Sequence, residues 1–196
     1  MIVRSMVSIA CMALLTAGLP GCAMPGSPYR GGEPDRRDPR LADQLTRRAV
    51  EATTSDPERA ERLLRDALAA DLYHGPAHNN LGVLLLDDGR LYEAANEFEW
   101  ARKLMPGHPA PRVNLGIVLE RGGSIDEAIE QFEAALLAVP EDLAASQALA
   151  RCQLRYARTD SRTLDRLRLI AARAGPRWRD WALQQALVLD SDPPAD

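Results

Sequence analysis

Two stretches of the sequence decide the fold, because the second repeats the pattern of the first. Residues 74–106 read HGPAHNNLGVLLLDDGRLYEAANEFEWARKLMP, and residues 108–140 read HPAPRVNLGIVLERGGSIDEAIEQFEAALLAVP. When His74 is aligned with His108, 12 of the 33 positions carry the same residue. Agreement on this scale identifies an internal repeat, which must be recognised before any other feature of the fold is predicted.

Each repeat shows helical periodicity twice. In residues 74–106, one apolar stripe precedes the turn at Asp87–Arg90 and another follows it. The spacing of both stripes is that of one helix face. Their members are Leu81, Leu84 and Leu85, then Leu91, Ala94, Ala95, Phe98 and Ala101. Pro76 lies where a first helical turn tolerates proline, and Pro106 ends the second helix. The pattern predicts two helices in each unit.

The turn of the next unit carries further helix signals. Gly122 and Gly123 provide the turn, and Ser124 is placed to cap the helix that follows. Glu127 stands three residues later, so the sequence predicts a capping box.

These units resemble the tetratricopeptide repeat (TPR). Its signature residues are present twice, as Leu81, Gly82, Ala94, Phe98, Ala101 and Pro106, and as Leu115, Gly116, Ala128, Phe132, Ala135 and Pro140. The sequence departs from the family at His78 and Arg112, which replace Trp, and at Leu85 and Leu119, which replace Tyr. The resemblance implies an all-α fold, a right-handed superhelix of antiparallel helix pairs. We expect the small residues to lie where paired helices cross, since a larger side chain would push them apart.

The flanking units are less regular. In the first unit, Arg47 and Arg48 stand where the later units have Leu-Gly. In the second helix of the fourth unit, Arg162 stands where the earlier units have Ala94 and Ala128. A final helix with Trp178 and Trp181 is expected to cap the stack, as terminal repeats must. The expected domain is residues 41–190, with units at about 41–74, 75–108, 109–142 and 143–175 and a capping helix at 176–190.

Composition limits the function classes. Of 196 residues, 46% are hydrophobic but only 5% aromatic, a mixture that favours helices over a sheet core. The formal net charge of −4, with both signs interspersed, gives no electrostatic footprint for nucleic acid.

Residues 1–21 have the layout of a secretory signal, with one early charge at Arg4 and a short apolar run. The run ends in Leu19-Pro20-Gly21-Cys22, which resembles the lipobox of bacterial lipoproteins although Pro20 departs from it. The resemblance implies a covalent lipid on Cys22 and, with Ala23 next, an outer-membrane protein facing the periplasm. An ordinary cleaved signal and a retained anchor are the alternatives.

Residues 22–40 are rich in Pro, Gly and charge, so we expect a lipidated Cys followed by a flexible tether. Its arginines Arg30, Arg36 and Arg37 either contact anionic headgroups or are simply solvated. Cys152 has no partner left in the mature chain and is expected to be buried, with a reactive thiol as the alternative.

Residues that carry chemistry are scarce. No nucleophile motif or phosphate loop occurs, so we expect no catalysis. His74 and His108 occupy the same loop of successive repeats, and we expect neither a metal nor another cofactor apart from the lipid on Cys22.

What the resemblance implies is a concave groove that binds a protein or peptide, with no small-molecule substrate and no nucleic acid. The groove positions of the family are here Asn79, Asn80, Val83, Leu86, Asp87, Val113, Asn114, Ile117, Glu120 and Arg121. Asn80 and Asn114 are the strongest candidates, because such an Asn commonly bonds a peptide backbone in that family. They can equally belong to the general repeat pattern.

We therefore expect a lipid-anchored scaffold for protein–protein interactions in the bacterial envelope. Small TPR lipoproteins of pilus or secretion assembly, such as the Tad/Flp and pilotin groups, have a similar layout. The alternative is a non-catalytic regulatory subunit of an envelope enzyme complex.

Overall fold

A computed structural model describes residues 37–191. The predictions for residues 1–36, including the signal peptide, Cys22 and most of the tether, lie outside this range. The described residues form nine α-helices and no strand. In chain order these are α1 (Pro39–Ala52), α2 (Pro57–Ala70), α3 (Gly75–Asp87), α4 (Leu91–Leu104), α5 (Pro109–Gly122), α6 (Ile125–Ala138), α7 (Leu143–Arg155), α8 (Thr163–Arg173) and α9 (Pro176–Ser191).

The helices form two layers. Helices α1, α3, α5 and α7 contact one another in succession and form the inner layer. Helices α2, α4, α6 and α8 form the outer layer, and each packs against its own inner helix. Each of α2, α4 and α6 also packs against the next inner helix along the chain. The predicted all-α solenoid of helix pairs is therefore confirmed, and α9 packs against α8 at its C-terminal end.

The glycines at the helix crossings have the predicted packing role. Phe98 of α4 and Phe132 of α6 are fully buried, and their rings lie over Gly82 and Gly116. A Cβ at Gly82 would lie 2.6 Å from Phe98 Cε1, and one at Gly116 would clash with Phe132 Cε1. Helices α3 and α5 therefore approach their partners as closely as only glycine allows.

The first unit is more complete than the sequence indicates. Helix α1 begins at Pro39, because Asp38 caps it by accepting a hydrogen bond from Leu41 N at 2.9 Å. It packs against α2 about as extensively as α3 packs against α4. Arg47 and Arg48 are exposed, and the helix instead buries Ala42, Thr46, Ala49 and Ala52. Arg47 and Arg48 lie one repeat length before Leu81 and Gly82, but they are not the residues through which α1 packs.

Arg37 is not simply solvated in this structure. Its guanidinium donates to both carboxylate oxygens of Asp71, at 2.8 and 3.0 Å, and lies 5.0 Å from the ring centroid of Tyr73. Burial opposes ionisation of Asp71, but the hydrogen bonds from Arg37 and from Tyr73 N hold the pKa of Asp71 below its ordinary value. The start of the described chain is thus fixed to the α2–α3 loop.

Two local predictions were wrong. Ser124 is the N-cap residue of α6, but its side chain makes no capping hydrogen bond, so the capping box does not form. In α8 the buried residues are Thr163, Leu167 and Ile170, spaced as Ala128, Phe132 and Ala135 are in α6. Thr163, rather than Arg162, therefore occupies the first Ala position. The buried face of α8 therefore lies one position later than the regular repeat predicts, and the loop before α8 spans residues 156–162, longer than the loops before α4 and α6.

The turn that follows α7 has the same backbone geometry as the turns that follow α3 and α5, but it carries alanine where they carry glycine. Gly89 and Gly123 have φ angles of 77° and 88°, and Ala157, at the equivalent position of the next repeat, has a φ of 52°. The amides of Arg90, Ser124 and Arg158, one residue later in each turn, each donate to a carbonyl five residues earlier. This is the Schellman ending of a helix, for which a left-handed residue is required. Alanine is strained in that conformation.

We expect Ala157→Gly to raise the free energy of unfolding by about 0.5–1 kcal/mol, because glycine adopts positive φ without the Cβ clash. Urea unfolding followed by circular dichroism measures this difference. As a matched control, Ala172→Gly at an exposed position in the last turn of α8 should lower stability, by no more than about 1 kcal/mol. A loss of stability in Ala157→Gly would contradict the assigned turn.

A hydrogen-bonded network holds the start of α8 against α7. Asp160 accepts hydrogen bonds from Arg166 at 2.8 Å, from Arg162 N at 2.8 Å and from Gln153 at 3.0 Å. Thr163 Oγ1 donates to Gln153 at 3.1 Å. Burial opposes ionisation of Asp160, but its donors outweigh burial and lower the pKa of Asp160 to about 2.

This network predicts an acid dependence of stability. A carboxyl whose pKa is lowered by folding stabilises the fold above about pH 4 and loses that contribution as the pH falls toward 2. Asp160 is 37% exposed, so after solvent screening we expect Asp160→Asn to cost about 1 kcal/mol at pH 7. The difference from wild type should vanish near pH 2. Urea unfolding at both pH values tests this, with exposed Asp66→Asn as the neutral control.

Cys152 is fully buried, as predicted, and is not in a disulfide. Burial raises the pKa of its thiol, which makes the reactive-thiol alternative unfavourable. Among residues 37–191, no helix is both long enough and apolar enough to cross a lipid bilayer.

Candidate functional site

The candidate site is the surface of the inner layer, on helices α3, α5 and α7, which we call the inner face. Helix α5 contacts both α3 and α7, so equivalent residues of successive repeats lie side by side across it. This arrangement brings most of the predicted groove residues of α3 and α5 into one continuous surface.

Three amide side chains meet at its centre. Asn114 Nδ2 of α5 donates to Asn79 Oδ1 of α3 at 3.0 Å, and Asn79 Nδ2 lies 3.4 Å from Asn80 Oδ1. All three residues are partly exposed. Within residues 37–191, the amide nitrogen of Asn80 and the amide oxygen of Asn114 have no hydrogen-bond partner. The row therefore offers one donor and one acceptor to a ligand backbone.

Apolar residues flank this amide row. Val83 and Ile117 are half-buried and give it an apolar border, one from α3 and one from α5. Leu86 and Val113 were predicted in the same surface, but they are only 6% and 5% exposed and belong to the hydrophobic core. They hold neighbouring repeats together and offer a ligand little surface.

The charged end of the inner face is built differently from the prediction. Glu120 is buried and accepts hydrogen bonds from Arg151 at 2.7 Å and from Arg155 at 3.1 Å, both on α7. Arg121 donates to the backbone oxygen of Leu86 at 3.1 Å. Glu120 thus joins α5 to α7, while the exposed edges of the arginines face solvent beside it.

Arg151 and Arg155 are inner-face residues that the sequence reading missed. Both could have been found, because they occupy the positions of the predicted Ile117 and Arg121 in the following repeat. Asp87, which was predicted, is exposed at the end of α3.

His74 and His78 have structural partners, whereas His108 is exposed and its side chain makes no capping hydrogen bond. His74 Nδ1 accepts from Ala77 N at 3.1 Å and caps α3, and its Nε2 lies 2.9 Å from an oxygen of Asp43. His78 is buried between Glu97, at 2.6 Å, and the Leu72 carbonyl, at 2.8 Å. In the described part of the chain, no group of three or more His, Cys, Asp or Glu side chains could hold a metal ion.

Comparison with known families agrees with this geometry. Two models described as tetratricopeptide repeat match residues 50–109 and 85–152. The chain contains tetratricopeptide repeats. They cover the helices that form most of the inner face, and the fold of TPR proteins is that of a scaffold for protein–protein interactions. No curated protein sequence matches the chain.

Several solved structures share the fold. The first TPR of Spaghetti (RPAP3), bound to the HSP90 peptide SRMEEVD, is 16% identical, with a TM-score of 0.59. That match covers 63% of this chain and 98% of the other. PilF of Pseudomonas aeruginosa is 24% identical, with coverages of 81% and 79% and a TM-score of 0.57. The O-GlcNAc transferase of Thermobaculum terrenum is 26% identical over 72% of this chain, which spans only 26% of that enzyme, with a TM-score of 0.61.

Proposed function

We propose that this TPR protein is a non-catalytic scaffold that holds an extended segment of a partner protein on its inner face. The observation that carries the proposal is the amide row of Asn79, Asn80 and Asn114 between Val83 and Ile117. An extended segment needs backbone hydrogen bonds and shallow apolar contacts, and this surface offers both. The first TPR of Spaghetti, which has a similar fold, is bound to a peptide, and this supports a peptide segment as the ligand.

We further propose that the scaffold acts in the bacterial cell envelope, anchored by lipid on Cys22 and facing the periplasm from the outer membrane. The lipobox-like Leu19–Cys22 stretch supports the anchor. A single acyl chain binds a membrane only marginally, whereas several chains hold a protein there. The structural likeness to PilF of Pseudomonas aeruginosa is consistent with a role in pilus or secretion assembly.

The anchor predicts a defined mature N-terminus. The intact mass of the protein extracted from membranes should correspond to a chain that starts at Cys22 and carries covalent acyl groups. Mass spectrometry of the N-terminal peptide measures both features. A soluble chain cut elsewhere, with an unmodified Cys22, would contradict the anchor and leave the scaffold proposal in place.

The function itself is tested by co-purification after crosslinking in detergent-solubilised membranes. Recovery of secretin or pilus components supports the assembly role. Recovery of a cell-wall or exopolysaccharide enzyme would favour a regulatory subunit, an alternative supported by the likeness to part of an O-GlcNAc transferase chain. A purified protein that recovers no partner and turns over a substrate alone would contradict both.

A further inference from the structure

A further candidate site lies in the outer layer. It is a pocket of about 530 Å³ between α6 and α8, with Ser146 of α7 among its lining residues. Ligand pockets typically have volumes of about 300–1,000 Å³. This pocket shares none of its lining residues with the inner face, so it does not depend on the proposed scaffold function.

The pocket exists because two positions carry smaller side chains than in the second repeat. Ser146 is the counterpart of Arg112 and, one repeat earlier, of His78. When the one-position shift of α8 is taken into account, Leu169 is the counterpart of Ala134 and, one repeat earlier, of Trp100. In the second repeat the rings of His78 and Trp100 stack, with centroids 5.5 Å apart and planes at 9°. The fourth repeat therefore lacks both the buried His78 ring and the Trp100 ring, 43% exposed, that stacks on it.

The lining determines what could replace them. Leu136, Leu169 and Pro140 supply apolar walls, and Leu137 at the mouth is 84% exposed. Ser146 is 1% exposed, and its hydroxyl has no hydrogen-bond partner within the described residues. A buried polar atom without a partner is costly, so a suitable occupant brings one hydrogen-bonding group to it.

The charges at the pocket favour a neutral occupant. Glu133 and Asp165 carry negative charge, and Arg162 and Arg166 carry positive charge, so the two signs balance. Arg166 already pairs with Asp160 at 2.8 Å, and Asp165 already pairs with Arg168 at 3.2 Å. A guanidinium at the edge of the pocket can also lie over an aromatic face.

We propose that this pocket binds the indole ring of a tryptophan side chain presented by a partner protein. The ring occupies the space that His78 and Trp100 fill two repeats earlier, and its N–H donates to the Ser146 hydroxyl oxygen. Four apolar residues contact its faces and edges. The outer layer thus provides an anchoring pocket for a protruding aromatic residue, separate from the groove for an extended segment.

The test uses 5-fluoroindole as the probe and the full chain as the receptor, with binding followed by ¹⁹F NMR. We expect saturable binding with a Kd of about 1 mM or below. Leu169→Trp fills the pocket from within and should abolish binding, while Gln184→Trp on the exposed surface of α9 should not. Ser146→Ala keeps the space but removes the acceptor, so affinity should fall about threefold to tenfold.

Circular dichroism melting verifies that each variant is folded, and Ser146→Ala remains informative if Leu169→Trp does not fold. N-acetyl-tryptophanamide should bind at least as well as 5-fluoroindole, because a partner's backbone must fit at the mouth. Absence of saturable binding, or equal binding by folded Leu169→Trp, would overturn the proposal. Binding of the free ring but not of the capped amino acid would overturn its assignment to a protein side chain.

Discussion

Gly116→Leu is expected to lower the free energy of unfolding by more than about 2 kcal/mol. The reason is the crossing of α5 and α6, where even a Cβ at residue 116 would overlap the fully buried ring of Phe132. Because the ring is fully buried in a close-packed core, the two helices must separate or the ring must leave its rotamer. Urea unfolding of the purified variant measures the loss.

A matched pair of smaller changes separates packing from helix propensity. Gly116→Ala and Gly122→Ala are the same substitution in the same helix, but nothing lies within 4 Å of a Cβ at Gly122. Gly122→Ala should therefore be neutral or stabilising, whereas Gly116→Ala should destabilise. Adding Phe132→Leu to Gly116→Ala replaces the ring with a smaller side chain. The double variant should therefore lose less free energy of unfolding than the sum of the two single losses. Equal stability of the two alanine variants would contradict the assigned crossing.

The core of the fold could be predicted because its signals are local and repeated. A glycine in one helix and a phenylalanine in the next occur twice with the same spacing, which is sufficient to place α3 against α4 and α5 against α6. Both pairs are found, as are the turns at Gly89 and Gly123.

The errors arose where the regular repeat length was carried into divergent units. A shift of one position moves the buried face of α8 from Arg162 to Thr163, and a shift of the contact positions in α1 leaves Arg47 and Arg48 exposed. Helix periodicity constrains which residues share a face, but it does not fix how that face is aligned with its neighbour. The buried stripes Thr163, Leu167, Ile170 and Ala42, Thr46, Ala49 were readable, but only without the assumed repeat length.

The inner face shows the same limit at the level of side chains. Asn79, Asn80 and Asn114 were predicted as groove residues, but the bond between Asn114 and Asn79 was not, because it depends on how closely two helices pack. The role of Glu120 was not predicted. A carboxylate at a groove position has the same sequence pattern whether it faces a ligand or pairs with two arginines of the next inner helix. The pocket between α6 and α8 was also not predicted, because it arises from the small size of the Ser146 and Leu169 side chains relative to their counterparts in the second repeat.

Asn80→Ala combined with Asn114→Ala is expected to weaken partner binding about fivefold or more. Each side chain offers an amide atom without a partner, and a neutral hydrogen bond contributes about 0.5–1.5 kcal/mol, so two of them account for about fivefold to 150-fold in Kd. Binding of the partner recovered by co-purification, measured by calorimetry, gives the ratio.

The matched control for this pair is Asn96→Ala, an exposed asparagine of α4 in the outer layer, which should leave affinity unchanged. The double variant should retain its melting temperature within a few degrees, because both asparagines are partly exposed and their removal leaves the helix crossings intact. A loss of affinity shared by the Asn96→Ala protein would indicate a nonspecific effect. Unchanged affinity in the double variant would move the binding site away from the amide row, which makes this comparison the decisive one for the groove.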